Sequence, residues 1–179
     1  YGDMAMNMSQ MTEKAQEALL AAQELAGSTG HPQIEPEHLL VTLCGQEDGV
    51  VPAVIRKLSV EPNHVLELVR AELDRLPKTT GGAQPALSPR LNSLATVAKT
   101  EADRLKDEYI STEHLLVAIA SEGGRAVAAR VLSELGVTRD RIFEVLTSIR
   151  GSQRVTDKSP EGKYQALERY GQDLTAFAR

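Results

Sequence analysis

Apolar residues recur three and four positions apart along most of the 179-residue chain, the period of a helix with one buried face. Ala15, Ala18, Leu19, Ala22 and Ala26 form one such stripe, and Leu91, Leu94, Ala95, Ala98 and Ala102 form another. Strand-like alternation is absent throughout. Local punctuation sharpens the boundaries. Thr12, Ser88 and Thr138 stand where a side-chain oxygen can cap a helix start, and Pro36, Pro62 and Pro89 suit first helical positions. Together these signals predict helices near 12–26, 36–46, 50–58, 62–76, 89–106, 112–121, 124–135 and 139–150.

The pattern is written twice. Ile34-Glu35-Pro36-Glu37-His38-Leu39-Leu40-Val41 aligns with Ile110-Ser111-Thr112-Glu113-His114-Leu115-Leu116-Val117, with an offset of 76 that also sets Thr12 against Ser88. After one inserted residue the register resumes at 77, pairing Leu58-Ser59-Val60 with Leu135-Gly136-Val137. Large and small residues trade places: Ala15 and Ala18 become Leu91 and Leu94, while Leu19 becomes Ala95. One copy, of about 65 residues, buries only about 60% of its unfolded surface and is marginal alone. The two copies are therefore expected to pack as one pseudo-twofold, eight-helix, all-α domain. Residues 12–76 form repeat one and 88–150 repeat two, joined by an exposed stretch from Pro77 to Ala86. Residues 1–8 read as a poorly ordered start or an expression remnant, 9–150 as the repeat domain, and 151–162 as a flexible linker before a tail at 163–179.

Composition narrows the chemistry. Hydrophobic residues make up 41% of the chain but aromatics only 3%, so the core is aliphatic. A net charge of −5 without a Lys/Arg run argues against nucleic acid as a partner. No apolar stretch approaches the roughly 20 residues that span a bilayer, and no secretory leader is visible, which points to the cytoplasm. The single cysteine, Cys44, lies in an apolar run and reads as a small buried hydrophobe. His31 and His64 fall in connecting regions and read as surface residues. Glu37-His38 and Glu113-His114 invite a metal or acid–base reading. First-turn glutamates are better explained by the helix dipole, and further zinc ligands are lacking. No phosphate-binding loop, dinucleotide fingerprint or nucleophile elbow occurs. The reading is a binding module with no catalytic residues, no metal and no cofactor of its own.

The doubled unit with Glu-His-Leu-Leu at both helix starts resembles the Clp N-terminal repeat of AAA+ chaperone ATPases. The run Gly151-Ser152-Gln153-Arg154-Val155 and the later Tyr164-Gln165-Ala166-Leu167-Glu168-Arg169-Tyr170 resemble the ClpB-type junction into the first ATPase domain, whose start would be 163–179. The resemblance implies a parent that binds ATP and Mg²⁺, assembles as a hexamer and extracts unfolded or aggregated polypeptides with a DnaK-type chaperone. The isolated domain is then expected to be monomeric and to lack Walker motifs. The same likeness implies substrate-handling roles for Thr12, Asp107 and Glu113, and an apolar groove along the first helix of repeat two with Leu91, Leu94, Ala95 and Val97 as candidates. As a helix cap, Thr12 has an equally good structural reading. The segment from Tyr109 to Leu116 also resembles the ClpC-type sibling, which implies adaptor docking or phosphoarginine binding at Glu37 and Glu113 as the alternative. A carboxylate suits a guanidinium.

Overall fold

A computed structural model describes residues 8–79, 84–123, 125–151 and 154–161. The expected tail at 163–179, most of the start at 1–8 and part of the inter-repeat connection lie outside the described residues. Among the described residues, eight helices follow a 3₁₀ turn at Met8–Gln10: α1 (Glu13–Ser28), α2 (Pro36–Cys44), α3 (Val50–Lys57), α4 (Pro62–Asp74), α5 (Pro89–Arg104), α6 (Thr112–Ser121), α7 (Val127–Glu134) and α8 (Arg139–Arg150). The expected helices are all present, with ends differing by at most a few residues. Thr12, Ser88 and Thr138 each accept a backbone N–H from three residues on, and the three prolines occupy first-turn positions. No helix among the described residues is long and apolar enough to cross a membrane.

The odd-numbered helices stop by one device. Gly30, Ser59, Lys106 and Gly136 all have positive φ, and the residue after each donates its N–H five residues back, as in His31 to Ala26 and Val137 to Leu132. These four stops occupy two aligned positions, and each repeat uses glycine at only one of them. Two non-glycine residues therefore sit in a left-handed conformation that opposes their Cβ.

Strand pairing, absent from the sequence pattern, occurs at the helix starts and crosses between repeats. β1 (Gln33–Ile34) runs parallel to β2 (Ala86–Leu87), and Met11 bridges Ile110. Ser88 N–H donates to the Ile34 carbonyl at 3.1 Å, and Thr12 N–H donates to the Ile110 carbonyl at 2.9 Å. These are the same bond under the repeat offset. The run-in to α1 thus pairs with the run-in to α6, and that to α5 with that to α2. Such two-residue pairings carry no alternation signal, which is why periodicity misses them. Around them a continuous core draws on both repeats, including Met11, Leu39, Leu43, Ile55, Leu91, Leu116, Leu132 and Ile142. Cys44 lies in this core, and burial pushes its thiol up to about 12.

Candidate functional site

The start of α6 gathers polar side chains from both repeats. Ser111 N–H donates to His114 Nδ1 at 2.8 Å, which leaves the ring proton on Nε2. That proton points at Asp107 Oδ2, 2.8 Å away. Asp107 Oδ1 in turn accepts from Arg150 Nη2 at 2.6 Å and from Val155 N–H at 2.8 Å. Burial alone would raise the Asp107 carboxyl, but hydrogen bonds from His114, Arg150 and Val155 hold it below the usual carboxylate range. Glu113, next along, has no exposed surface. Its oxygens make no hydrogen bond among the described residues, and Arg150 Nη1 stands 3.8 Å from Oε2. Thr12 caps α1 and donates its hydroxyl to Glu161 Oε2 at 2.7 Å. Thr12, Asp107 and Glu113 are thus brought together, all of them buried.

The aligned corner of repeat one is built differently. Glu35 N–H donates to His38 Nδ1 at 2.9 Å, so His38 Nε2–H donates to His31 Nδ1 at 3.0 Å, and His31 Nε2 reaches the Leu73 carbonyl at 3.0 Å. His31 is therefore buried, not a surface residue: it fills the position that Asp107 fills in repeat two, and only the distant partners His38 and Leu73 reveal this. Burial, then the neighbouring His31, lower His38 to about 4. His64 is exposed as expected.

Glu37, aligned with Glu113, is fully engaged. Arg90 Nη1 and Nη2 donate to its two oxygens at 3.1 and 3.0 Å, and Ala128 N–H adds a third bond at 3.0 Å. Arg90 also clasps Glu122 at 2.8 and 2.9 Å. These bonds, those of Glu122 first, raise the guanidinium above its ordinary value. Glu37 thus already holds one guanidinium, that of the chain itself. No group of three or more potential metal ligands exists among the described residues.

At the far end of α6 from the polar corner, α5 and α6 leave an open groove of about 400 Å³ lined by Pro89, Arg90, Ser93, Leu94, Val97, Ala118, Ser121 and Glu122. Leu94 and Val97 line it, and Val97 is 39% exposed. Leu91 and Ala95 expose nothing and belong to the core, because they continue the stripe through Ala98 and Ala102. Repeat one has the corresponding hollow, about 620 Å³, but there Glu17, Ala18, Ala21, Thr42 and Gln46 replace Ser93, Leu94, Val97, Ala118 and Glu122. Leu25, Val41 and Leu66 also line that hollow, so the difference lies at the aligned positions, where repeat two carries the larger aliphatic side chains. Ala118, Arg90 and Glu122 were not among the sequence candidates. Helical spacing from His114 and alignment with Lys14 and Gln46 were the available signals.

Comparison with known proteins fits this geometry. Residues 10–135 match the family described as the Clp repeat (R) N-terminal domain. The chaperone protein ClpB of Bdellovibrio bacteriovorus is 43% identical over 169 residues, which is 94% of this chain and 20% of that protein. The chain therefore spans about a fifth of the length of that curated relative. Among solved structures, the Hsp104 N-terminal domain from Candida albicans superposes with a TM-score of 0.74 at 21% identity, over 85% of this chain and 99% of that one. A ClpV N-domain in complex with a VipB peptide gives 0.64 at 19% identity, over 78% of this chain and 86% of that one. The paired four-helix repeats, their crossed run-ins and the extent of these matches lead to one conclusion: the chain belongs to the Clp repeat (R) N-terminal domain family.

Proposed function

We propose that this domain captures exposed apolar segments of unfolded or aggregated polypeptides in the α5–α6 groove and delivers them to a hexameric ATP- and Mg²⁺-dependent motor in the full-length protein. The observation that carries the reading is the asymmetry between two aligned hollows. Both hollows have aliphatic lining, Leu25, Val41 and Leu66 in repeat one included, but at the aligned positions repeat one has Ala18, Ala21 and Thr42 where repeat two offers Leu94, Val97 and Ala118. A leucine-sized side chain moved from water into such a groove gains roughly 1.5–3 kcal/mol. Two or three of them, less the cost of ordering a peptide, give micromolar or weaker affinity. Weak contacts suit a domain repeated around a ring, where tethering raises the effective concentration. A peptide-bound ClpV N-domain shares the fold, which supports a peptide as ligand. Cooperation with a DnaK-type chaperone and a cytoplasmic setting belong to the same proposal. A phosphoarginine ligand is the weaker reading, since it would have to displace Arg90 from Glu37.

Titrating fluorescein-labelled unfolded casein into the chain tests this. Val97→Glu is expected to weaken binding about tenfold or more by placing a charge in the groove. Leu20→Glu, at an apolar residue that is 52% exposed on repeat one, should bind as wild type. Equal affinity of all three proteins, or no saturable binding, overturns the assignment.

A further inference from the structure

The segment expected to be a free connection after α8 lies against the repeats. Val155 is completely buried, its N–H donates to Asp107, and its carbonyl accepts from Glu108 N–H at 2.7 Å. Lys158 contributes a carbonyl to Glu13 N–H at 2.7 Å, and Ser159 donates its hydroxyl to Glu13 Oε2 at 3.0 Å. Glu161 ends the run, 2% exposed, with Oε2 accepting from the Thr12 hydroxyl and from Thr112 N–H at 3.4 Å. Its carboxyl therefore sits between the N-termini of α1 and α6.

Repeat one cannot make this contact. Pro36 stands where Thr112 offers its N–H, and Arg90 already fills the place beside Glu37. Beside Glu113 the residue aligned with Arg90 is Lys14 of α1, in repeat one, which turns outward to Glu17. That leaves Glu113 without a cation from α1, and the vacant corner receives the strap.

We propose that residues 154–161 are a releasable strap, closed by Glu161 on Thr12 and Thr112, that sets how far the repeat domain can travel from whatever follows it. Closed, the chain leaves from the starts of α1 and α6. Open, the same residues add up to about 25 Å of reach. The charge around Glu161 makes the closure proton-dependent. Glu113 faces it from α6, Glu13 of α1 takes the Ser159 hydroxyl two residues earlier, and Asp157 and Lys158 lie further back on the strap. Arg150 of α8 is committed to Asp107, which also holds His114, and stays 3.8 Å from Glu113. Burial, then the charge of Glu113, raise the Glu161 carboxyl to about 7. A carboxyl raised on closing contributes fully below the free value and loses that contribution as pH rises through about 7. Within that window closure weakens about tenfold per pH unit.

Amide NMR of this chain decides the matter without any client, so groove binding stands or falls separately. Between about pH 5 and pH 8 the Val155 and Glu108 amides of the wild type should move toward disordered positions, while Val117 in the core stays fixed. Glu161→Gln, which keeps an acceptor but no charge, should hold both closed at every pH. Val155→Asp should leave both open at every pH with Val117 unmoved. Wild-type shifts independent of pH, or E161Q titrating like the wild type, overturn the proposal.

Discussion

Single positions decide how the two corners differ, and the differences come in compensated sets. Asp107 works because Arg150 and His114 both donate to it. Under the repeat offsets these become His31, Leu73 and His38, a chain of neutral donors ending on a carbonyl. His31→Asp alone should cost about 2 kcal/mol, because the new carboxylate lacks its guanidinium and the Leu73 carbonyl lacks its donor. Adding Leu73→Arg should recover about 1 kcal/mol or more relative to the sum of the single changes, measurable as a urea double-mutant cycle. His38 has its own pH signature. Its folded value of about 4 lies below the unfolded 6.5, so its contribution is complete above 6.5 and fades as pH falls toward 4. Urea midpoints should drop over that window more in the wild type than in His38→Gln. None of this was visible in His31 itself, which looks like a loop histidine. The clue was its alignment with Asp107, seven residues before a helix-start histidine in each repeat. Thr12, by contrast, was legible as a cap because that bond spans three residues, whereas its bond to Glu161 spans 149.

Whole helices were the easiest part to read, since their stripes and caps are local. Their stops carry a residual strain that the pattern does not show. Ser59 and Lys106, with φ of 65° and 57°, occupy positions where the other repeat has Gly136 and Gly30. Each is exposed. Ser59→Gly and Lys106→Gly should therefore each stabilise the fold by about 0.5–1 kcal/mol, the left-handed penalty less the entropy glycine adds to the unfolded chain. Gly136→Ala should do the reverse by a similar amount. Its added Cβ would lie 2.6 Å from Arg141 Nη1, a flexible tip that can move, so the backbone conformation dominates the cost. Chemical denaturation of the three variants checks all of these. The groove is another property of helices. The α5 stripe that marks Leu91 and Ala95 as core leaves Val97 off it but includes Leu94, which lines the groove, so periodicity separates lining from core only in part.

Across the molecule, the two repeats are held by a shared core, by the crossed run-ins and by polar stitches, among them Arg130 to Glu72 at 3.5 Å and the Arg90 fork. Arg90, from repeat two, spans Glu37 of repeat one and Glu122 of its own repeat. Glu37→Gln should lower stability by about 1–3 kcal/mol, because a partly buried charge-assisted pair loses its anion while Arg90 keeps its charge. A smaller loss, read from urea midpoints, would mean that Glu122 alone satisfies Arg90. This stitch was unreadable beforehand because it joins positions 53 residues apart through a fork whose direction no local pattern encodes.

The crossed run-ins have a consequence for how the chain can be divided. Each repeat keeps, at its own helix starts, one edge that only the other repeat can pair: Met11 needs Ile110, and Leu87 needs Ile34. A fragment holding one repeat alone would leave those backbone groups open and its share of the core uncovered. Two fragments made by cutting between Gly81 and Gly82 should instead find each other and refold as a heterodimer. The fold would then be divisible into complementing halves, neither of which is a smaller version of the whole.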